Sequence, residues 1–277
     1  MISHYNPSVE VFMKIGVCTN FLSKDTYTLH MEDYGKLAKV FEFVELPAMT
    51  IGQISEEKFE QLKNGLNVNG LNCDYVTNLF PEDISLIGDD SNTKKIENYL
   101  NGLIPRLEHI GCKGIVFGSG YARRLPDGVN STYGDYCMQK LIVDILLPKL
   151  EKGRMKILIE PLHPDLCNYL NAIDHAVKLC KMCDSPYVGI VADSYNLMYN
   201  EKTPEQIEKY AHYIWHVHLS EHERKCPGNN PSEDFMKFIL ALRKAKYKGS
   251  ISFECQMSDY REYQKNKEVC ERLFEDL

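Results

Sequence analysis

No apolar run in this 277-residue chain reaches the roughly 18–20 residues that a helix needs to cross a bilayer. The opening stretch MISHYNPSVEVFMK also lacks the apolar segment of a secretory signal. Neither a membrane partner nor export is expected, and the reading is a cytoplasmic protein. Lys and Arg form no basic tract. The net charge of −7, with a pI near 5.8, repels a polyanion and counts against a nucleic-acid partner. There is no Ser/Gly-rich linker, low-complexity stretch or long block of like charge, so nothing divides the chain into domains. The segment after the first apolar run reads VCTNFLSKD rather than GxGxxG, which excludes a dinucleotide-binding open sheet. The ten cysteines are dispersed rather than arranged as a disulfide framework. A chain this long does not need disulfides for stability, so reduced thiols are expected. The one CxxC, Cys180 and Cys183, lies in a helical pattern with no second pair and reads as chance placement rather than zinc.

What the chain does have is a repeat. Eight short runs, mostly apolar on both faces, predict buried parallel strands at Lys14–Thr19, Phe41–Leu46, Asn72–Thr77, Gly114–Gly118, Lys156–Glu160, Val188–Asp193, Ile214–Leu219 and Ser250–Glu254. Helical patterns separate them, clearest over 92–110, 136–153, 171–182, 204–210 and 232–245. Thr203 followed by Pro204 reads as an N-cap and first helical residue. Eight such units predict an α/β fold, a single (β/α)8 barrel over residues 13–277, preceded by a disordered extension over residues 1–12.

Four of the strands end in a metal-ligand residue: Glu160, Asp193, His218 and Glu254, at intervals of 33, 25 and 36 residues. The tops of all barrel strands face one pocket, so these four are expected to converge on a single divalent cation. Three oxygen donors and one imidazole suit Mn²⁺, Mg²⁺ or Co²⁺, with Zn²⁺ also possible. Asp193 could instead be an ordinary helix cap, but YNLMYNEKTP does not announce a helix. His216 shares a strand face with His218, lies deeper, and reads as a hydrogen-bonding or packing residue. Trp215, of opposite parity, is expected to point away toward the helices as core. Asn20 and Glu45, at the ends of the first two strands, are placed at the pocket's floor or wall. Arg123 and Arg124, after the fourth strand, stand as rim residues or as solvated loop arginines. The pair Glu160 and Glu254 suits proton removal from carbon and its return, with the cation stabilising the developing oxyanion.

The segments VTNLFPEDISLIGDD, VFGSGYARRLPDG, LIEPLHPDLCNYLN, VGIVADSYN, HVHLSEHERKCPG and ISFE resemble the xylose isomerase-like TIM-barrel superfamily, in its sugar-phosphate isomerase/epimerase branch. The resemblance runs from about Met13 to the C-terminus. It implies that Glu160, Asp193, His218 and Glu254 bind the metal and that Glu160 and Glu254 are the acid/base pair. It further implies that Arg224 contacts substrate, that His163 and Asn196 line the substrate pocket, and that a homo-oligomer is possible; Arg123, from its place after the fourth strand, is a further candidate for contacting substrate. The implied activity is isomerisation or epimerisation of a small carbohydrate through a metal-stabilised enediolate. The alternatives are an inosose-type dehydratase, a non-catalytic sugar-binding barrel and, least, an endonuclease IV-like phosphodiesterase. Two positions depart from the pattern: Asn196 stands where many relatives carry His, and Leu166 where epimerases carry Glu. Asn78, Ser119 and Asn196 leave no ligands for the three-zinc cluster of endonuclease IV.

Overall fold

The computed structural model describes residues 13–21, 31–88, 93–257 and 260–274. The extension expected over residues 1–12 lies outside them. Eight parallel strands close into a barrel in sequence order, with β8 paired back to β1. They are β1 (Ile15–Cys18), β2 (Phe43–Pro47), β3 (Asn72–Thr77), β4 (Gly114–Phe117), β5 (Lys156–Ile159), β6 (Val188–Asp193), β7 (Ile214–Leu219) and β8 (Ser250–Phe253). The fold is the single (β/α)8 barrel that the repeat predicts. Among the described residues no helix is long and apolar enough to cross a membrane.

Helices fill the connections: α1 (Met31–Ala38), α2 (Ala48–Gln53), α3 (Glu56–Val68), α4 (Thr93–His109), α5 (Ser131–Lys140), α6 (Leu147–Leu150), α7 (Ile173–Cys183), α8 (Ser194–Leu197), α9 (Thr203–Tyr210), α10 (Glu233–Lys244) and α11 (Tyr260–Phe274). A π turn at Leu141–Leu146 joins α5 to α6, so the single helix expected over 136–153 is an interrupted one. Ser232 caps α10 by accepting from the Phe235 amide. The expected cap at Thr203 is not formed. Thr203 lies inside the first turn of α9, and its hydroxyl donates to the Leu197 carbonyl at 2.8 Å.

Residues of one parity, such as Ile115, Phe117, Ile157 and Ile159, join the main core shared with the helices. Those of the other parity, Val116, Leu158 and Val191, form a separate cluster inside the barrel with Tyr75 and Trp215. Trp215 thus contradicts the outward placement that strict alternation gives it. The pairing of β6 with β7 steps from Ile190↔Ile214 to Val191↔His216, and this irregularity leaves Trp215 without a partner and turned inward. It covers Gly189, where a Cβ would overlap the indole. The Lys156 ammonium lies 4.6 Å from the ring centre.

The expectation of reduced thiols is corrected at one place. Cys226, after β7, is disulfide-bonded to Cys255, which follows β8, with Cα atoms 5.2 Å apart. Their separation of 29 residues hides a contact that the parallel pairing of β7 with β8 creates. Cys180 and Cys183 are free, as are the remaining six cysteines, and all but Cys137 are buried.

Replacing Gly189 with Val drives a branched side chain into the Trp215 indole. It is expected to lower unfolding free energy by about 1–3 kcal/mol. Denaturant unfolding measures this; an unchanged midpoint contradicts the packing.

Candidate metal and active site

The exits of β5, β6, β7 and β8 bring Glu160, Asp193, His218 and Glu254 together, with one donor atom of each within 4.8 Å of the others. All four are buried. Gly118, just past β4, makes this possible: a Cβ there would overlap Glu160 Oε2. His218 Nδ1 lies 3.5 Å from Glu160 Oε1 and 3.4 Å from Glu254 Oε2. It is buried and makes no hydrogen bond. An orphaned imidazole nitrogen aimed between carboxylates is what a cation would satisfy. The residues present therefore fit a divalent ion, with three oxygen donors and one nitrogen.

Behind His218 stands Glu45, fully buried at the end of β2. Its Oε2 lies 3.1 Å from His218 Nε2, and its Oε1 lies 2.6 Å from His216 Nε2 and also accepts from Ser252 Oγ. Carboxylate, imidazole and ligand cluster are in line, an arrangement that fixes the ring and raises its basicity as a metal ligand. Burial alone would raise the Glu45 pKa, but His216 and His218 hold it well below the ordinary carboxylate range. Burial alone would lower the His218 pKa, yet Cys18, Glu45 and Glu254 raise it well above its usual value. The field that favours a proton on His218 also favours a cation there. His216 spans Glu45 and Ser250 Oγ, 2.7 Å from its Nδ1, and stacks on Tyr75 with centroids 4.3 Å apart. It is the hydrogen-bonding residue that the sequence suggested.

Arg224 Nη1 donates to Glu254 Oε2 at 2.6 Å and to Asp193 Oδ2 at 3.0 Å. Its guanidinium also lies 4.1 Å from the Tyr195 ring centre. Burial would raise the Glu254 pKa, but Arg224 and His218 hold it below the ordinary range. Asp193 moves the other way. Burial and the nearby Glu254 and Glu160 push it up to about 7, against the pull of Arg224. Asp193 also caps α8, its Oδ1 accepting from the Tyr195 amide at 2.8 Å. A helix does follow Asp193, so the capping role and membership of the cluster coexist, one on each oxygen.

The remaining candidates are placed unevenly. Asn196 is fully buried. Its Nδ2 donates to Asp193 Oδ2 at 2.7 Å and Glu160 Oε1 at 3.4 Å, while its Oδ1 accepts from the His163 amide. It orients two carboxylates of the cluster rather than facing an open pocket. His163 is partly exposed; its Nδ1 accepts from the Asp165 amide, and its ring meets the Tyr199 ring edge-on, 4.8 Å away. Arg123 corrects its expected place at the rim. It is fully buried and donates to the carbonyls of Phe117 and Glu160, tying the exits of β4 and β5 together. The tight turn at Ser119, with φ of 41°, folds the loop back over the barrel and carries Arg123 inward. Arg124 donates to the Leu166 carbonyl. Asn20 donates to Thr77 Oγ1 at 3.1 Å, bridging β1 and β3 at the mouth. Sequence reasoning missed Cys18, whose Sγ is 3.7 Å from His218 Nε2, and Tyr195 under Arg224. The position of Cys18 at the end of β1 was the available signal.

Residues 33–273 match the xylose isomerase-like TIM barrel family, and the chain belongs to it. No curated protein matches the sequence. Among solved structures, the D-psicose 3-epimerase of Clostridium cellulolyticum H10 with D-tagatose is similar at a TM-score of 0.81 and 18% identity, covering 95% of this chain and 99% of that one. The 3-keto-D-glucoside 4-epimerase of E. coli is similar at 0.73 and 18%, covering 94% and 99%. An AP endonuclease, family 2, from Brucella melitensis is similar at 0.71 and 13%, covering 92% and 96%. At these identities the likeness is one of fold.

Replacing Glu45 with Gln removes the charge behind His218. Affinity for Mn²⁺ is expected to fall about 10–100-fold, as isothermal titration of the purified variant would show. Unchanged affinity would separate Glu45 from the site.

Proposed function

We propose that the protein is a divalent-metal-dependent isomerase or epimerase of a sugar, sugar acid or keto-polyol. The observation that carries this reading is the convergence of Glu160, Asp193, His218 and Glu254 around an unsatisfied imidazole nitrogen. These four would hold one Mn²⁺, Mg²⁺, Co²⁺ or Zn²⁺. When bound, the cation supplies positive charge opposite the oxyanion that develops as a C–H bond beside a carbonyl breaks. The proton transfers belong to the protein. Glu254, held ionised by Arg224 and His218, is suited to accept the proton from carbon. Glu160, from the other side of the cluster, is suited to return one. Asn196 and the Arg123 bond to the Glu160 carbonyl fix Glu160 in place. The burial of both carboxylates keeps bulk water from competing for the proton.

Solved epimerases of D-psicose and of 3-keto-D-glucoside share the fold and support the reaction class. The substrate is proposed to differ from a free ketose. Asn196 is turned into the cluster, and Leu166 stands 42% exposed where the resemblance implies a polar contact. The partner is a small carbohydrate, not a nucleic acid or a membrane, and the setting is the cytoplasm.

Glu254→Gln keeps the shape and removes the base. Turnover is expected to be lost, together with incorporation of solvent deuterium next to the substrate carbonyl, followed by NMR in D₂O on a panel of ketoses, sugar acids and inososes. Wild-type exchange with a product lacking water would redirect the assignment to a dehydratase. Unchanged turnover in the variant would sink the acid/base assignment.

A further inference from the structure

The Cys226–Cys255 disulfide has a specific neighbourhood. Cys255 directly follows Glu254, and Cys226 stands two residues after Arg224. The turn that carries Arg224 puts two consecutive non-glycine residues in the left-handed region, Glu223 at φ 57° and Arg224 at φ 56°. Such a turn persists only where its surroundings fix it. Here they do. The Lys225 amide donates to the His222 carbonyl, and the Glu221 amide donates to the Lys225 carbonyl at 2.8 Å. The Gln256 amide reaches across to the Arg224 carbonyl at 2.8 Å, Lys225 forms a parallel bridge with Gln256, and the disulfide closes the join. The strand exits bearing Arg224 and Glu254 are thus locked together.

What this lock holds in place is the guanidinium. Arg224 Nη1 takes Glu254 Oε2, the same oxygen that faces His218 Nδ1 at 3.4 Å, and also Asp193 Oδ2. A divalent cation held by His218, Asp193 and Glu254 needs those oxygens, and it would lie against a like charge in a buried space.

We propose that Cys226 and Cys255 are positioning residues that press Arg224 onto the candidate metal ligands, so that breaking their bond raises the site's affinity for a divalent cation. This rests on the metal-site reading above. The chemistry is ordinary exchange with a dithiol. Its two thiols are oxidised to a disulfide, while the Cys226–Cys255 bond takes up two electrons and two protons to give two thiols. Cys226 is partly exposed and offers the point of attack, while Cys255 is buried. Without the disulfide only the Gln256–Arg224 hydrogen bond and the Lys225–Gln256 bridge hold the strained turn to the β8 exit, and the turn gains the freedom to draw Arg224 off the carboxylates.

The test uses full-length protein prepared without reductant. Thiol titration in denaturant should find eight thiols before reduction and ten after, since ten cysteines less the bonded pair leaves eight. Ten from the start overturns the proposal. Mn²⁺ titration should then show about tenfold or greater tightening after reduction by a dithiol, on the scale of losing one charged hydrogen-bonding partner. Cys226→Ser should show the same tightening without reductant. Arg224→Met should show it too, and should no longer respond to reductant. Equal, measurable affinity in the oxidised and reduced states overturns this inference and leaves the metal site standing. No Mn²⁺ binding in any form overturns the metal-site reading and the inference with it.

Discussion

Four carboxylates share the buried C-terminal end of this barrel, and they can do so only against matching positive charge. Glu45, Glu160, Asp193 and Glu254 are all buried. An uncompensated buried charge costs several kcal/mol, so a cluster of this kind exists only with its counter-ions built in. Arg224 supplies one, and His218 supplies the other by taking a proton when no cation is bound. Glu45 is held by the imidazoles of His216 and His218 on its two oxygens, and Glu254 from two sides by Arg224 and His218. Asp193, which burial and the neighbouring Glu254 and Glu160 disfavour as an anion, keeps its proton to a higher pH. Residual negative charge around a free imidazole nitrogen is the reason to expect a metal there.

The rest of the molecule is organised to hold these charges still. Parallel closure puts the strand exits in a ring, and the inward-facing residues change character along each strand. Val116, Leu158, Val191 and Trp215 fill one end, and acids and imidazoles occupy the other. Backbone groups are recruited as well. Arg123 clamps the Phe117 and Glu160 carbonyls, and Asp193 is fixed by the amides of the helix it caps. Asn196 serves the cluster by donating to two of its carboxylates. An amide donor at this position orients carboxylates without adding charge.

Much of this was legible in the sequence, and the parts that were not share a cause. Strand position follows from apolar runs and their spacing, and β3, β6 and β7 have the ends that the sequence predicts. Strand-terminal Glu160, Asp193, His218 and Glu254 were visible for the same reason, since barrel geometry sends every strand exit to one place. What escaped depends on local backbone detail or on contacts between distant segments. The irregular pairing of β6 and β7 that turns Trp215 inward leaves no mark on a two-residue period. The left-handed turn at Ser119 takes Arg123 from the rim into the interior. The Cys226–Cys255 bond joins loops that become neighbours only when β7 and β8 pair. The short helix α8 was invisible because four residues carry no periodicity, and its cap doubles as a member of the cluster.

The proposed chemistry depends on Glu160, Asp193, His218 and Glu254 forming one metal site. Elemental mass spectrometry of the purified protein, alongside His218→Ala, tests it most directly. One divalent ion per chain is expected in the wild type, and its loss in the variant. No ion in the wild type after incubation with Mn²⁺, Mg²⁺, Co²⁺ and Zn²⁺, or three zinc ions per chain, would contradict it.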